Sequence, residues 1–199
     1  MMKELVVATK NEGKVAEFRS MFSKYGIEVK SLLDFNEPIK DIVEDGDTFE
    51  ENAAIKAEAI AFQYEIPVVA DDSGLEIDAL NGEPGIYSAR YAGEEKNDQK
   101  NLEKVLSQME GVPESERTAR FVCAVAVARP NHETFVKRGT CEGVIANCPR
   151  GTEGFGYDPI FIPKGSNRTM AEHSAEEKNS ISHRKNAIVK IEQWLQQLS

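Results

Sequence analysis

The sequence predicts an α/β fold in which a mixed central sheet is flanked by helices and two lobes enclose a cleft. Three observations carry it: an opening strand, loop and helix; continued alternation of strand-like and helical segments; and consecutive strand candidates between residues 120 and 146. Alternating strands and helices build parallel pairing and runs of strands build antiparallel pairing, so a chain with both has a mixed sheet. The 199 residues suffice for one domain of two lobes with a substantial core.

Leu5-Val6-Val7-Ala8 is a short apolar run and reads as a buried strand, Thr9 to Gly13 as a polar loop. Val15, Phe18, Phe22 and Tyr25 then recur at helical spacing. Gly26 marks a turn before a strand at Glu28 to Leu32, and an acidic connection runs from Asp34 to Asp47. Thr48 and Glu51 have the spacing of a capping box, and Phe49, Ala53, Ile60 and Tyr64 mark the inner side of a helix that ends before Pro67. Pro67 to Ala70 reads as a buried strand stopped by a turn at Ser73-Gly74. Asn81 to Gly85 is a second turn, and Leu102, Val105, Leu106 and Met109 make a helical stripe ended by Gly111 and Pro113. Arg120 to Ala128, Thr134 to Thr140 and Glu142 to Ala146 are three strand candidates suggesting an antiparallel patch. Ala187, Ile188, Ile191, Trp194, Leu195 and Leu198 give a last helix its apolar face.

Composition narrows the function. With 24 basic and 34 acidic side chains the formal charge is −10, which argues against a sequence-independent nucleic-acid binder. Cys123, Cys141 and Cys148 are odd in number and lack CxxC spacing, so neither a disulfide framework nor a zinc site is expected. The start shows no signal-peptide pattern and no stretch approaches the roughly 20 apolar residues of a membrane span. The expected setting is therefore the reducing cytoplasm, with no membrane partner.

Five clusters could carry chemistry. Asp71-Asp72-Ser73-Gly74 sets two carboxylates and a hydroxyl at the end of a buried strand, where α/β sheets open their ligand crevices; the same residues are also ordinary turn formers. Two adjacent carboxylates do not both enter a core unless paired or bound to metal. Thr9-Lys10-Asn11-Glu12-Gly13-Lys14 lies between a strand and a helix, so its N–H groups and Lys14 suit an anion, although GxxxxGK[ST] and GxGxxG are both absent. Glu44, Asp45, Asp47, Glu50 and Glu51 crowd the next helix entrance, and one of them with Asp72 would suffice for magnesium; Asn52 and Lys56 share a face of that helix. Gly154-Phe155-Gly156-Tyr157-Asp158-Pro159 offers a ring between glycines, and Lys178, Ser182, His183 and Arg184 gather donors near the last helix.

These segments, with Thr48 to Ala53 and Gly82 to Tyr91, stand in an order that resembles the inosine triphosphate pyrophosphatase (Ham1-like) family from Leu5 to beyond Ala187. The resemblance implies a magnesium-dependent homodimer of two-lobed subunits that hydrolyses ITP, dITP and XTP to the monophosphate and pyrophosphate. It implies that Thr9, Lys10, Asn11, Glu12, Gly13 and Lys14 form the triphosphate loop. Glu44 and Asp72 would be metal ligands, Asp72 also the proton acceptor and Ser73 a substrate contact, with Asp71 supporting the turn. Phe155, Gly156, Tyr157 and Asp158 would hold the purine, with Lys178, His183 and Arg184 completing the pocket; a donor on Arg184 or Lys178 is expected to meet the 6-keto group. The family usually has glycine at the position of Lys10. A Maf-like pyrophosphatase of different base preference and a nucleotide-sensing protein without turnover are the alternatives, separated by a substrate panel.

Overall fold

The computed structural model describes residues 3–37, 39–192 and 194. Leu195 and Leu198 of the expected last helix lie outside the described residues. Six strands form one sheet in the order β2-β1-β3-β4-β5-β6. β1 (Lys3–Val7) buries Leu5, Val6 and Val7, as a strand covered on both faces must. It pairs in parallel with β2 (Ile27–Ser31) on one side and with β3 (Val68–Ile77) on the other, in the registers Leu5↔Val29 and Val6↔Val68. This is the expected parallel half of a mixed sheet.

α1 (Glu12–Ser23) begins where the Asn11 side chain accepts the Lys14 N–H at 2.9 Å, an N-cap that satisfies one orphan donor of the first turn. Its inner face is Val15, Phe18, Met21 and Phe22. Tyr25 lies beyond the helix, in a turn closed by Gly26 at φ +67°, and still packs on the core. α2 (Phe49–Tyr64) is capped by Thr48, whose Oγ1 accepts the Glu51 N–H. The Glu51 carboxylate accepts from the N–H of Asp47, one residue before the position a capping box would use. α3 (Asp98–Gln108) buries Leu102 and Val105 as expected.

Three local expectations are corrected. No turn forms at Ser73-Gly74, because β3 runs unbroken through Asp71, Asp72, Ser73 and Gly74. Turn-favouring composition yields here to the sheet: β1 stops at Val7, but β3 continues, and the Ser88 hydroxyl accepts the N–H of Leu75 at 2.9 Å. The second and third strand candidates are one strand, β5 (Phe135–Ile145), beside β4 (Thr118–Ala128). Gly143 does not break β5. It admits β6 (Phe161–Pro163), because a Cβ there would collide with the Ile162 carbonyl in the antiparallel register Gly143↔Pro163. The C-terminal helical region begins earlier than expected: α4 (Ala175–Ile181) and α5 (His183–Val189) are separated at Ser182, whose ψ of 155° is not helical.

The chain divides into two compact units, one formed by Met1–Asp72, Cys123–Gly139 and Arg184–Ser199, the other by Ser73–Val122 and Thr140–His183. Each has its own core. The first packs Leu5, Val7, Phe18, Phe22, Val69, Val125 and Ile188; the second packs Leu75, Ile77, Leu102, Val105, Tyr157 and Phe161. No helix among the described residues is long and apolar enough to cross a membrane.

Candidate functional site

In the first unit the sheet sets the chemistry out along β3. Side chains alternate across a strand, so adjacent aspartates diverge. Asp71 is 1% exposed, and its Oδ2 lies 3.0 Å from both Lys14 Nζ and Arg184 Nη2. Lys56 donates to the Asp71 carbonyl at 3.0 Å. Burial pushes the Asp71 carboxyl up, but Lys14, Arg184 and Lys56 outweigh it and hold the group ionised, well below the usual carboxylate range. Asp71 is therefore the buried anchor of a cationic cluster, where a supporting role in a turn was expected. The cluster presses in turn on Cys123, whose thiol is pushed up first by burial and then by Asp71.

Asp72 is set differently. Its Oδ2 accepts from Asn52 Nδ2 at 3.1 Å, and Asn52 Oδ1 accepts the Gly46 N–H at 2.9 Å. Burial raises its pKa first, and the Glu44 charge adds to the rise against the opposing pull of Lys14 and Lys56. Glu44 itself is 2.9 Å from Lys56 Nζ. The two neighbouring aspartates thus have opposed electrostatic settings, one held as an anion and one biased toward holding a proton, which is the pattern that separates a binding carboxylate from a proton acceptor.

The loop from Thr9 to Lys14 divides its labour. Thr9 Oγ1 accepts the Asn11 N–H, Asn11 caps α1, Gly13 and Lys14 enter its first turn, and Glu12 there is exposed. Lys10 donates to the Ile39 carbonyl at 2.6 Å and to Asp41 at 2.7 Å. Glu17 was not singled out from the sequence. It is buried on α1, forms an ion pair with Arg184, and could have been found as a carboxylate one turn from Lys14 on the helix row that leads to Met21. Arg184 is 1% exposed and bound to both Glu17 and Asp71; this is where the structure puts a guanidinium that was expected to aim at a purine.

In the second unit, Asp158 organises the aromatic segment. Its Oδ2 accepts from the Phe155 N–H at 3.0 Å and from Lys178 Nζ at 2.6 Å. Gly154, at φ +77°, is needed because a Cβ would strike the same carboxylate. Lys178, on α4, lies 4.6 Å from the centre of the Phe155 ring. The Gly156 N–H donates to Asp98, and the Tyr157 hydroxyl donates to the Ser88 carbonyl at 2.6 Å, so Tyr157 is a packed strut and Phe155 the half-buried ring. His183 is buried and stacks on Phe121, with ring centres 4.9 Å apart. Ser73 is half-buried on β3.

Glu44 and Asp72 suit a magnesium ion by donor chemistry. Both offer hard carboxylate oxygens, their mutual repulsion contributes to the raised pKa of Asp72, and a cation would relieve it. Among the described residues no group of three or more His, Cys, Asp and Glu side chains forms a metal cage. Two carboxylates match an ion that completes its octahedron with water and phosphate oxygens.

Fold and cluster define an α/β protein with two adjacent strand carboxylates in opposed electrostatic settings, one of them ringed by buried cations. The sequence pattern of the Ham1 family matches residues 5–194, and the chain belongs to that family. A dITP/XTP pyrophosphatase of Halalkalibacterium halodurans is 60% identical over 98% of this chain and 100% of its own, and one of Bacillus subtilis is 54% identical over 98% of each. Among solved structures, the Staphylococcus aureus Ham1 protein superposes with a TM-score of 0.85 at 46% identity, covering 99% of this chain and all of its own. A Coxiella burnetii HAM1 protein gives 0.86 at 41% identity over 98% and 100%.

Proposed function

We propose that this protein is a nucleoside-triphosphate pyrophosphatase that hydrolyses dITP, ITP and XTP to the monophosphate and pyrophosphate, removing non-standard purines from the nucleotide pool. The observation that carries the reading is the Asp71-Asp72 pair, one carboxylate fixed among Lys14, Arg184 and Lys56 and the other pushed up by burial and then by the Glu44 charge. Close full-length relatives named dITP/XTP pyrophosphatases give the substrate class.

Phosphoanhydride cleavage needs an in-line water, neutralised phosphate oxygens and a settled leaving group, and most of the catalysis is positioning and electrostatics. Asp72, which Asn52 holds at 3.1 Å, takes the proton from the attacking water. Lys14 and the N–H groups at the start of α1 receive phosphate charge. Glu44 and Asp72 would hold magnesium, which supplies charge neutralisation on the phosphate oxygens. Phe155 stacks on the purine, and Lys178 above that ring donates to a 6-keto oxygen. Adenine presents an amino donor there, setting donor against donor beside an ammonium that keeps its Asp158 partner, and a mismatched polar contact rejects more strongly than a misfitting methylene. Ser73, Gly156, Tyr157, Asp158 and His183 line or brace the substrate site.

The two compact units are lobes of one domain in this reading, since β3, β4 and β5 each contribute residues to both. The enzyme works as a homodimer in the cytoplasm. A panel of dITP, XTP, dGTP and dATP with magnesium tests the activity. Turnover of dITP and XTP well above dATP is expected, and Asp72→Asn should lower kcat by about 10²–10⁴-fold. Preference for a pyrimidine triphosphate would instead favour the Maf-like alternative, and binding without turnover a sensor.

A further inference from the structure

Between the turn at Leu32–Asp34 and α2, residues 39–48 form neither helix nor strand. The stretch is acidic, with Asp41, Glu44, Asp45 and Asp47 close in sequence, and like charges this near to one another favour spreading apart. Its far end is tied down by α2: Asn52 accepts the Gly46 N–H, Glu51 accepts the Asp47 N–H, and Lys56 pairs with Glu44. Its near end is held from the β1–α1 loop. Lys10 Nζ donates at 2.6 Å to the carbonyl of Ile39, a residue only 5% exposed, and at 2.7 Å to Asp41.

The two bonds differ in weight. The ion pair joins side chains 40% and 90% exposed, so alone it contributes little. The bond to the Ile39 carbonyl is charge-assisted and part-buried, and deleting the ammonium would strand that acceptor. Lys10 also directly precedes Asn11, the cap of the helix that carries Lys14. One side chain therefore ties the loop that leads to Lys14 to the segment that carries Glu44.

We propose that Lys10 is a positioning residue: by gripping Ile39 and Asp41 it fixes the segment that presents Glu44, and so sets the affinity for a divalent cation without itself touching substrate. The proposal rests on the reading of Glu44 and Asp72 as metal ligands. Mutating groups that hold a metal ligand in place typically costs about 10–100-fold in metal affinity.

The test uses nucleotide-free protein and Mn²⁺ as a paramagnetic probe, titrated by EPR for wild type, Lys10→Met, Lys10→Arg and Glu44→Gln. Tryptic cleavage after Lys40, which sits between the two tethered residues and is exposed, is timed on the same proteins. Lys10→Met should weaken Mn²⁺ binding about tenfold and quicken cleavage after Lys40, and Lys10→Arg should recover most of both. If Lys10→Met leaves the Mn²⁺ affinity and the tryptic rate at their wild-type values while raising KM for dITP, Lys10 is a direct phosphate contact and the proposal is overturned. If Glu44→Gln costs no Mn²⁺ affinity, the metal reading fails and takes the proposal with it. That failure shows in the Glu44 variant alone, so the two are distinguishable.

Discussion

Asp71 is buried, yet three cations keep it charged, and one of them, Arg184, is itself buried against a second carboxylate, Glu17. Burial works against the Arg184 charge, and Glu17 and Asp71 more than restore it. A buried ion network of this kind is strongly destabilised by loss of one member, because the partners left behind stay desolvated. Arg184→Met should lower stability by about 3–5 kcal/mol, which at roughly 2–4 °C per kcal/mol for a chain of this size is a Tm drop of about 10 °C by differential scanning calorimetry. An unchanged Tm would show the network to be dispensable. The side chains of this cluster stand out in the sequence, since Asp71, Asp72, Lys14 and Glu44 lie in polar runs. Their pairing does not. Glu17 and Arg184 are 167 residues apart, and nothing local marks them as partners.

Elements show where local signals suffice and where they fail. α1, α2 and α3 are legible because apolar residues recur at helical spacing in each, with Thr48 capping α2 and Gly111 and Pro113 following α3, but α1 starts at Glu12, inside the segment that reads as a loop. β3 reads too short at Ser73-Gly74, because a glycine that ends a strand and one that a sheet carries through look alike in sequence, and β5 reads as two candidates parted at Cys141, where the alternation is uneven. α4 was hidden by its length, seven residues. Its start is held by Ser174, whose side chain accepts the Glu177 N–H while Glu177 accepts the Ser174 N–H, and by Arg168 at 2.9 Å from Glu177. Hydrogen bonding from Arg168 leads the causes that lower the Glu177 carboxyl to about 2. A carboxyl with a depressed folded pKa contributes stability above its unfolded value, and that contribution is lost as pH falls toward the folded one. The Tm difference between wild type and Glu177→Gln should accordingly be full above pH about 4.5 and shrink toward pH about 2. A difference that stays constant across that range would remove Glu177 from the acid response.

For the molecule as a whole, the mixed sheet is readable from the alternation of segments, and the parallel pairs of β1 with β2 and β3 and the antiparallel pair of β5 with β6 realise it. What the sequence did not disclose is how the chain is shared: three strands pass from one compact unit to the other, so Asp72 and Ser73 are neighbours in β3 but belong to different units. Lys14, Glu44, Asp71, Asp72 and Arg184 fall in the first unit, and Phe155, Asp158 and Lys178 in the second. Sedimentation equilibrium should give twice the 22.1 kDa chain mass if the protein is the proposed homodimer, and a single chain mass would refute it. The central claim is the position of the cut, between the α and β phosphates. It is tested most directly by ³¹P NMR of dITP turned over with magnesium: the account predicts dIMP and pyrophosphate as the first products, and dIDP with orthophosphate would contradict it.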